Sequence, residues 1–321
     1  MKLLTFEDTR DIYVKAIQRG SKFIFSKLSL SGKKRTQASF NNTKIDNSNW
    51  WIIPLVKERW NYLITGDSHL SYEEYISKKY ENRKGLKLIS IGSGVCSHEL
   101  YFAKLNPSWE ITCLDFSGEL LQLAQKHAQN EGIGNIKFIE TDIYEHTLPN
   151  NYYDIVLFHS SLHHFRNMNA FICKVSQAMA DNGLLIINEY VGVNRIQYRK
   201  NQLAEINKCL LLIDKEYRKI FKTNLYKNRY YGSGIFRMII SDPSECVESE
   251  NILPSIKHHF NTVEEKGYGG NLLMAVLKDI SHHFIEINDK KKKCLNNIFA
   301  YEDEYLKQNK SDFILGIYQK K

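Results

Sequence analysis

The chain has 321 residues, 43% hydrophobic and 25% charged, with a formal net charge of +8. This is an ordinary globular composition at a length that suits one large α/β domain with additions or two domains. There is no run of about 18 apolar residues, so no membrane span is expected, and the opening M-K-L-L-T-F-E-D-T-R brings acids too early for a secretory signal. Six cysteines (Cys96, Cys113, Cys173, Cys209, Cys246, Cys294) lie far apart with no Cys-x-x-Cys or Cys/His zinc spacing. They read as reduced thiols of a cytoplasmic protein, and no metal is expected. Basic runs at Lys33-Lys34-Arg35 and Lys290 to Lys293 read as solvated faces, with a nucleic-acid or anionic-surface role as the alternative.

In chain order, residues 1–85 read as a helical, aromatic N-terminal cap. Trp60, Tyr72, Tyr75 and Tyr80 are helix-spaced and form a core-facing stripe, some of whose rings are compatible with walling a pocket. Residues 29–49 are polar and turn-rich, a loop. From Leu86 the pattern alternates strand and helix, as in a parallel α/β sheet. L-K-L-I-S-I is a buried central strand, Gly92-Ser93-Gly94 a tight turn, and Ser97 the N-cap of a helix. Further strands follow at 110–114, 136–139, 154–158 and 184–188, with a helix at 117–131, another at 168–179 and a turn at Asn182-Gly183. After Gly192 the alternation stops. A long helix over 194–221, a helix from Asp242 to about His259, a sixth strand over 261–266 and a flexible Gly267 to Gly270 turn are expected. Two helices (271–284 and 290–307) and a last strand (311–319) complete the chain. The expected segments are 1–85 (cap), 86–192 (Rossmann-like core), 193–260 (helical insertion or lid) and 261–321 (the rest of the core with a helical insertion).

A strand, a glycine turn and a helix N-terminus make a nucleotide-binding element, since glycine admits close backbone approach and the helix end presents free N–H groups. Asp115 ends the second strand roughly twenty positions after Gly94, where a carboxylate accepts both hydroxyls of an adenosine ribose. That pairing suits a dinucleotide or S-adenosylmethionine. Three features favour the latter: Gly92-x-Gly94-x-x-Ser97 lacks a third glycine, Asp142 lies just past the third strand where an adenine amino group is reached, and the chain ends as an antiparallel sheet edge would.

On these motifs the chain resembles the class I S-adenosylmethionine-dependent methyltransferases, strongly over 86–192 and more loosely over 261–321. The resemblance implies a Rossmann-like, mostly parallel seven-stranded sheet with an antiparallel last strand. It also implies that Gly92, Ser93 and Gly94 wrap the methionine part of the cofactor, that Asp115, with Phe116 beside it, holds the ribose, that Asp142 and Ile143 contact adenine, and that His159 lies near the methionine amino group. Two positions depart from the family pattern: Cys96 stands where a third small residue is frequent, and Ser90 where an acid is frequent. S-S-L-H-H-F and N-E-Y-V-G further resemble a bacterial subgroup found near surface-polysaccharide genes, which points to a saccharide acceptor.

Methyl transfer from a sulfonium requires alignment and exclusion of water, and a base where the acceptor loses a proton. His163 and His164 are candidates for that base, with shaping of the pocket as the alternative. Glu189 and Tyr190, at the carboxyl end of the fifth strand, are candidates for orienting an acceptor, with capping of a neighbouring helix as the alternative for Glu189. Arg195, Gln197 and Arg237 suit an acidic or sugar acceptor, or plain surface salt bridges. No Asn/Asp-Pro-Pro-aromatic motif, Pro-Cys pair or Cys-x-x-x-Cys-x-x-Cys run is present, which sets aside nucleobase and radical methylation and a nucleic-acid partner. The expected activity is O- or N-methylation of a small molecule or saccharide, yielding S-adenosylhomocysteine. A non-catalytic cofactor-binding scaffold or sensor and a nicotinamide-dependent enzyme are the rivals. Homo-oligomerisation is left open.

Overall fold

The computed structural model describes residues 2–19 and 48–321. Most of the 29–49 loop and the Lys33-Lys34-Arg35 run lie outside the described residues. The chain divides into two compact units: one comprises residues up to 63 with 192–246 and 267–313, the other 64–191 with 247–266 and 314–321. Residues 64–85 and 247–260 therefore belong with the sheet, and 267–313 with the mainly helical unit.

The sheet unit contains seven strands: β1 (Lys87–Ile91), β2 (Glu110–Asp115), β3 (Ile136–Glu140), β4 (Tyr153–His159), β5 (Met179–Tyr190), β6 (Phe260–Gly269) and β7 (Phe313–Lys320), the last two running partly into the other unit. Their order is β3-β2-β1-β4-β5-β7-β6. The first five pair in parallel, and the final strands add the antiparallel edge. β1 and β4 are near-continuous apolar runs because both faces are covered. Ile89, Ile91, Val156 and Phe158 from these strands pack with Ile172 and Val175 of one covering helix (Met168–Ala178) and Ile252 and Ile256 of another (Ile252–His259). Each such fully buried side chain contributes roughly 2–3 kcal/mol. On the other side of β1, α4 (Ser97–Leu105) buries Phe102 and Ala103, and α5 (Gly118–Asn130) buries Leu120, Leu121 and Ala124. A helix at Tyr72–Lys79, here α3, opens with a capping box in which Ser71 Oγ and the Glu74 carboxylate satisfy each other's backbone amides.

The helical unit has its own core, formed by Trp50, Ile53 and Val56 with Ile206 and Leu210 of α7 (Lys200–Leu211) and with Leu295 and Ile298 of α11 (Asp289–Leu306). Its remaining named helices are α1 (Phe6–Arg19), α2 (Pro54–Thr65), which ends in the sheet unit, α8 (Ile235–Ser241) and α10 (Leu273–Leu277); the two sheet-covering helices above are α6 and α9. Among the described residues no helix is long and apolar enough to cross a membrane.

Several expectations from the sequence are corrected. The single helix over 194–221 is three pieces: a 3-10 turn at Asn194–Ile196, α7, and a 3-10 turn at Lys215–Arg218. Leu203, Ile206 and Leu210 are buried, as the spacing demanded; periodicity identifies a face but not where a helix ends. The helix expected from Asp242 starts instead at Ile252, because Asp242 Oδ1 accepts the Ser244 amide at 2.9 Å and holds a side-chain-stabilised turn. The Gly267–Gly270 turn begins later: β6 runs to Gly269. Gly269 has φ +85°, and a Cβ there would lie 2.4 Å from the Glu302 carboxylate, so only glycine fits. The Asn182-Gly183 turn is an irregularity inside β5, between Met179, which pairs with Tyr153, and Leu184, which pairs with Ile155. Ser97 is the first helical residue of α4; the N-cap is Cys96, in the left-handed region at φ 55°.

Candidate functional site

The carboxyl ends of β1, β2, β4 and β5 carry the candidate residues. Gly92 leaves β1 at φ +74°, and its amide donates to the Leu114 carbonyl at 2.7 Å, tying the glycine turn to β2. A Cβ on Gly92 would lie 2.9 Å from Ser161 Cβ, so glycine is required for approach as well as for conformation. Cys96 takes the left-handed conformation that a glycine would adopt without cost. Ser90 Oγ donates at 2.6 Å to the buried carboxylate of Glu99, reaching back from α4.

Asp115 is held at the turn. Its Oδ2 accepts the Gly94 amide and its Oδ1 the Ser117 amide, both at 2.8 Å. Burial pushes this carboxyl above the usual aspartate range, opposed by the backbone amides of Ser117, Gly94 and Phe116. A carboxylate has about four acceptor sites, so the three amides do not use it up. Past β3, the Asp142 carboxylate accepts the Tyr144 amide at 3.1 Å. Lys174, on α6, donates to the carbonyls of Ile143 (2.6 Å) and His146 (2.8 Å), fixing the turn that carries Asp142 and Ile143.

At the end of β4 the chain builds two histidine groupings. His159 Nδ1 lies 2.9 Å from Tyr72 Oη, and its ring stacks on His98 with centroids 3.5 Å apart. His98 Nδ1 in turn lies 2.5 Å from a Glu73 carboxylate oxygen. Desolvation, with the His98 charge second, holds His159 well below the usual histidine range, so it is neutral at pH 7 and able to accept a hydrogen bond from a cation. Tyr72 is one of the rings read from the sequence as compatible with walling a pocket; Glu73 and His98 were not singled out there. His98 carries a signal, standing in the first turn after the glycine loop; Glu73, 25 positions away, carries none.

The second grouping centres on Glu189, whose side chain is fully buried. One carboxylate oxygen accepts the amides of Ser161 (2.8 Å) and Leu162 (2.6 Å). The other accepts from His163 Nδ1, in a short contact, and from the Tyr190 amide at 3.0 Å. Glu189 thus caps the 3-10 turn Leu162–His164 and grips the imidazole that this turn carries. The His164 ring lies beside that of His163, with centroids 4.2 Å apart. Tyr190 is buried at the strand end. Ser161, also missed, links the two halves: its Oγ donates to the Ile91 carbonyl at 2.8 Å, seating the His163 turn next to the glycine turn.

Arg195, Gln197 and Arg237 are engaged within the helical unit. Arg195 donates to the carbonyls of Glu245 and Pro243, Gln197 to that of Ser233, and Arg237 pairs with Asp8 and Asp11.

The donor and acceptor set fits S-adenosylmethionine: a glycine turn with no room for a side chain, a carboxylate beside it with spare acceptor sites, a second carboxylate past β3, and a neutral imidazole. Residues 82–267 match the family model described as a methyltransferase domain. The demethylmenaquinone methyltransferase of Geobacillus kaustophilus is 26% identical over 100 residues, covering 31% of this chain and 43% of that protein. The ubiquinone/menaquinone biosynthesis C-methyltransferase UbiE of Stutzerimonas stutzeri is 21% identical over 132 residues, covering 40% and 52%. The match spans about half or less of the length of these curated relatives. The crystal structure of a coclaurine N-methyltransferase bound to N-methylheliamine and SAH covers 99% of this chain and 96% of its own at a TM-score of 0.47 and 11% identity. The chain belongs to the methyltransferase-domain family.

Proposed function

We propose that this methyltransferase acts on an O or N atom of a small molecule or saccharide, with His163 as the proton-accepting base and Glu189 as the group that orients it. The observation that carries this reading is the buried Glu189 carboxylate, which holds His163 Nδ1 and the two amides before it. With Nδ1–H committed to Glu189, Nε2 is the basic atom, the same division of labour that makes an imidazole–carboxylate pair a general base. When bound, S-adenosylmethionine supplies an activated methyl group. Gly92 and Gly94 admit its methionine portion, Asp115 accepts from the ribose hydroxyls, Asp142 accepts from the adenine amino group, and neutral His159 accepts from the amino-acid ammonium. His164 and Tyr190 are assigned to the acceptor side of the same crevice.

A ring-carbon acceptor is the second reading, favoured by the names of the two quinone-pathway relatives; it needs the same base. Calorimetric titration with S-adenosylmethionine, S-adenosylhomocysteine and NAD tests the cofactor side. Micromolar binding of the first two is expected, weakened at least about tenfold by Asp115→Ala; binding of NAD alone would overturn the site assignment. An acceptor screen with a carbon-13 methyl donor then decides the acceptor atom, because the product's methyl resonance separates oxygen, nitrogen and carbon. Donor binding with no turnover on any acceptor would favour a cofactor-binding scaffold or sensor.

A further inference from the structure

Helix α1 is built inside out. At 100° per residue, Phe6, Tyr13 and Ile17 share one stripe and Glu7, Asp11 and Val14 another. An ordinary surface helix buries the apolar stripe and exposes the acids. Here Glu7, Asp8 and Asp11 are 0%, 3% and 3% exposed, whereas Phe6, Tyr13 and Ile17 are 65%, 55% and 47% exposed. The buried acids are paired: Asp8 and Asp11 with Arg237 at 3.0 and 2.9 Å, Asp11 also with Lys278 at 2.9 Å, and Glu7 with Arg10. This ion-pair network fixes which way the helix faces, so the exposed rings are a consequence of the fold.

The neighbouring segment 219–241 continues the same surface. The amides of Ile235 and Phe236 donate to the carbonyls of Lys2 and Leu3, the Phe6 and Tyr231 rings meet at 5.2 Å, and Gln18 reaches the Phe221 carbonyl at 2.8 Å. α8 buries Met238 and exposes Phe236, Ile239 and Ile240. At the far end, Tyr13 and Ile17 share a hollow of about 630 Å³ with Leu225, Lys219 and Lys222. Residues 219–241 contain five Lys or Arg and no acid. Of these, Lys227 is fully buried and Arg237 is held by Asp8 and Asp11, which leaves Lys219, Lys222 and Arg229 on the solvent side; with the three acids of α1 buried, the charged groups that these two segments show solvent are bases.

A contiguous exposed apolar surface marks an interaction site, and its charge selects the partner. A second copy of the same face would set base against base. An anionic bilayer answers both features at once, taking the apolar side chains into the headgroup boundary and the lysines against lipid phosphates. We propose that the α1/α8 face docks this protein, without spanning, on the surface of an anionic lipid bilayer.

The test is flotation of the full chain with vesicles of neutral phosphatidylcholine and of phosphatidylcholine containing about a third phosphatidylglycerol. Binding to the anionic vesicles is expected to be at least about tenfold tighter than to the neutral ones, and to weaken as salt rises from ~0.1 to ~1 M. The triple variant Phe6→Ser, Tyr13→Ser, Ile17→Ser should lose about tenfold or more of that binding. Lys219→Glu with Lys222→Glu should remove the preference for anionic lipid. Phe6, Tyr13, Ile17 and Lys222 are exposed and Lys219 is half-buried, and none is assigned to the cofactor, so the melting temperature and S-adenosylhomocysteine affinity of each variant should match the parent. Absence of parent binding to either vesicle, or binding that both variants retain in full, overturns the proposal. So does a parent dimer in light scattering that the triple variant converts to monomer, because a second copy would then cover this face.

Discussion

Glu189 accepts four hydrogen bonds, from the amides of Ser161, Leu162 and Tyr190 and from His163 Nδ1. The sequence left capping and acceptor orientation as alternatives for this residue, and the geometry shows one carboxylate capping the turn while holding the imidazole. Glu189→Gln brings an amide NH2 toward groups that need acceptors. It should cost about 1–3 kcal/mol of stability and, if Glu189 acts through His163, lower kcat about 10–100-fold while S-adenosylhomocysteine affinity changes less than about threefold. A double-mutant cycle separates this from simple loosening. His163→Ala with Glu189→Gln should be no slower than His163→Ala alone; fully additive losses would show that Glu189 does not work through that histidine. Why such residues escape a sequence reading is visible in the His98–Glu73 pair. His98 follows a recognisable turn, but Glu73 lies on α3, which is placed by long-range contacts: Asn106 donates to Ser77 Oγ at 2.8 Å and Tyr72 packs on Phe102.

At the scale of elements, β1 to β5 were legible because strands buried on both faces must be apolar runs, and because they alternate with amphipathic helices. The helical unit was not. Its short pieces are held by contacts distant in sequence, and α10, with five residues, is too short to persist alone. Lys227 is its anchor. The buried ammonium donates to the carbonyls of Ala275 (2.6 Å), Val276 (3.2 Å) and Lys278 (2.6 Å), at the C-terminal end of α10, where a cation also meets the favourable end of the helix dipole. Desolvation pulls its pKa down to about 7. Lys227→Met leaves three carbonyls without a donor and should cost about 2–4 kcal/mol in urea unfolding at pH 7. The pH dependence follows from the lowered pKa. From about 7 up to the ordinary lysine value the unfolded chain binds a proton that the folded chain does not, so this group makes stability rise with pH by up to about 1.4 kcal/mol per unit. The variant lacks that rise. The parent's advantage should therefore be about 2 kcal/mol larger at pH 9 than at pH 7, and a constant gap would mean that Lys227 does not titrate in this window.

For the whole molecule, the backbone passes between the two units after residues 63, 191, 246, 266 and 313, so neither unit is one continuous stretch. Each nevertheless has its own apolar core, which permits one to be stabilised without the other. Every residue assigned here to the cofactor, from Gly92 and Asp115 to Asp142 and His159, belongs to the sheet unit. A ligand that binds only the folded form of that unit, at a hundred times its Kd, stabilises it by about 2.7 kcal/mol. Amides that exchange through opening of the sheet unit, in β1, β2 and β4, should then exchange about a hundredfold more slowly with S-adenosylhomocysteine present. Amides of α7 and α11, whose cores are separate, should be unchanged within about threefold. Mass-spectrometric hydrogen exchange resolves these segments as different peptides. Equal slowing of α7 and α11 would show that the two cores open as one cooperative unit, and slowing confined to the helical unit would displace the cofactor from the carboxyl edge of β1, β2 and β4. The expected pattern, protection of the sheet alone, is what a site made entirely from one unit requires when the other is built around an independent core.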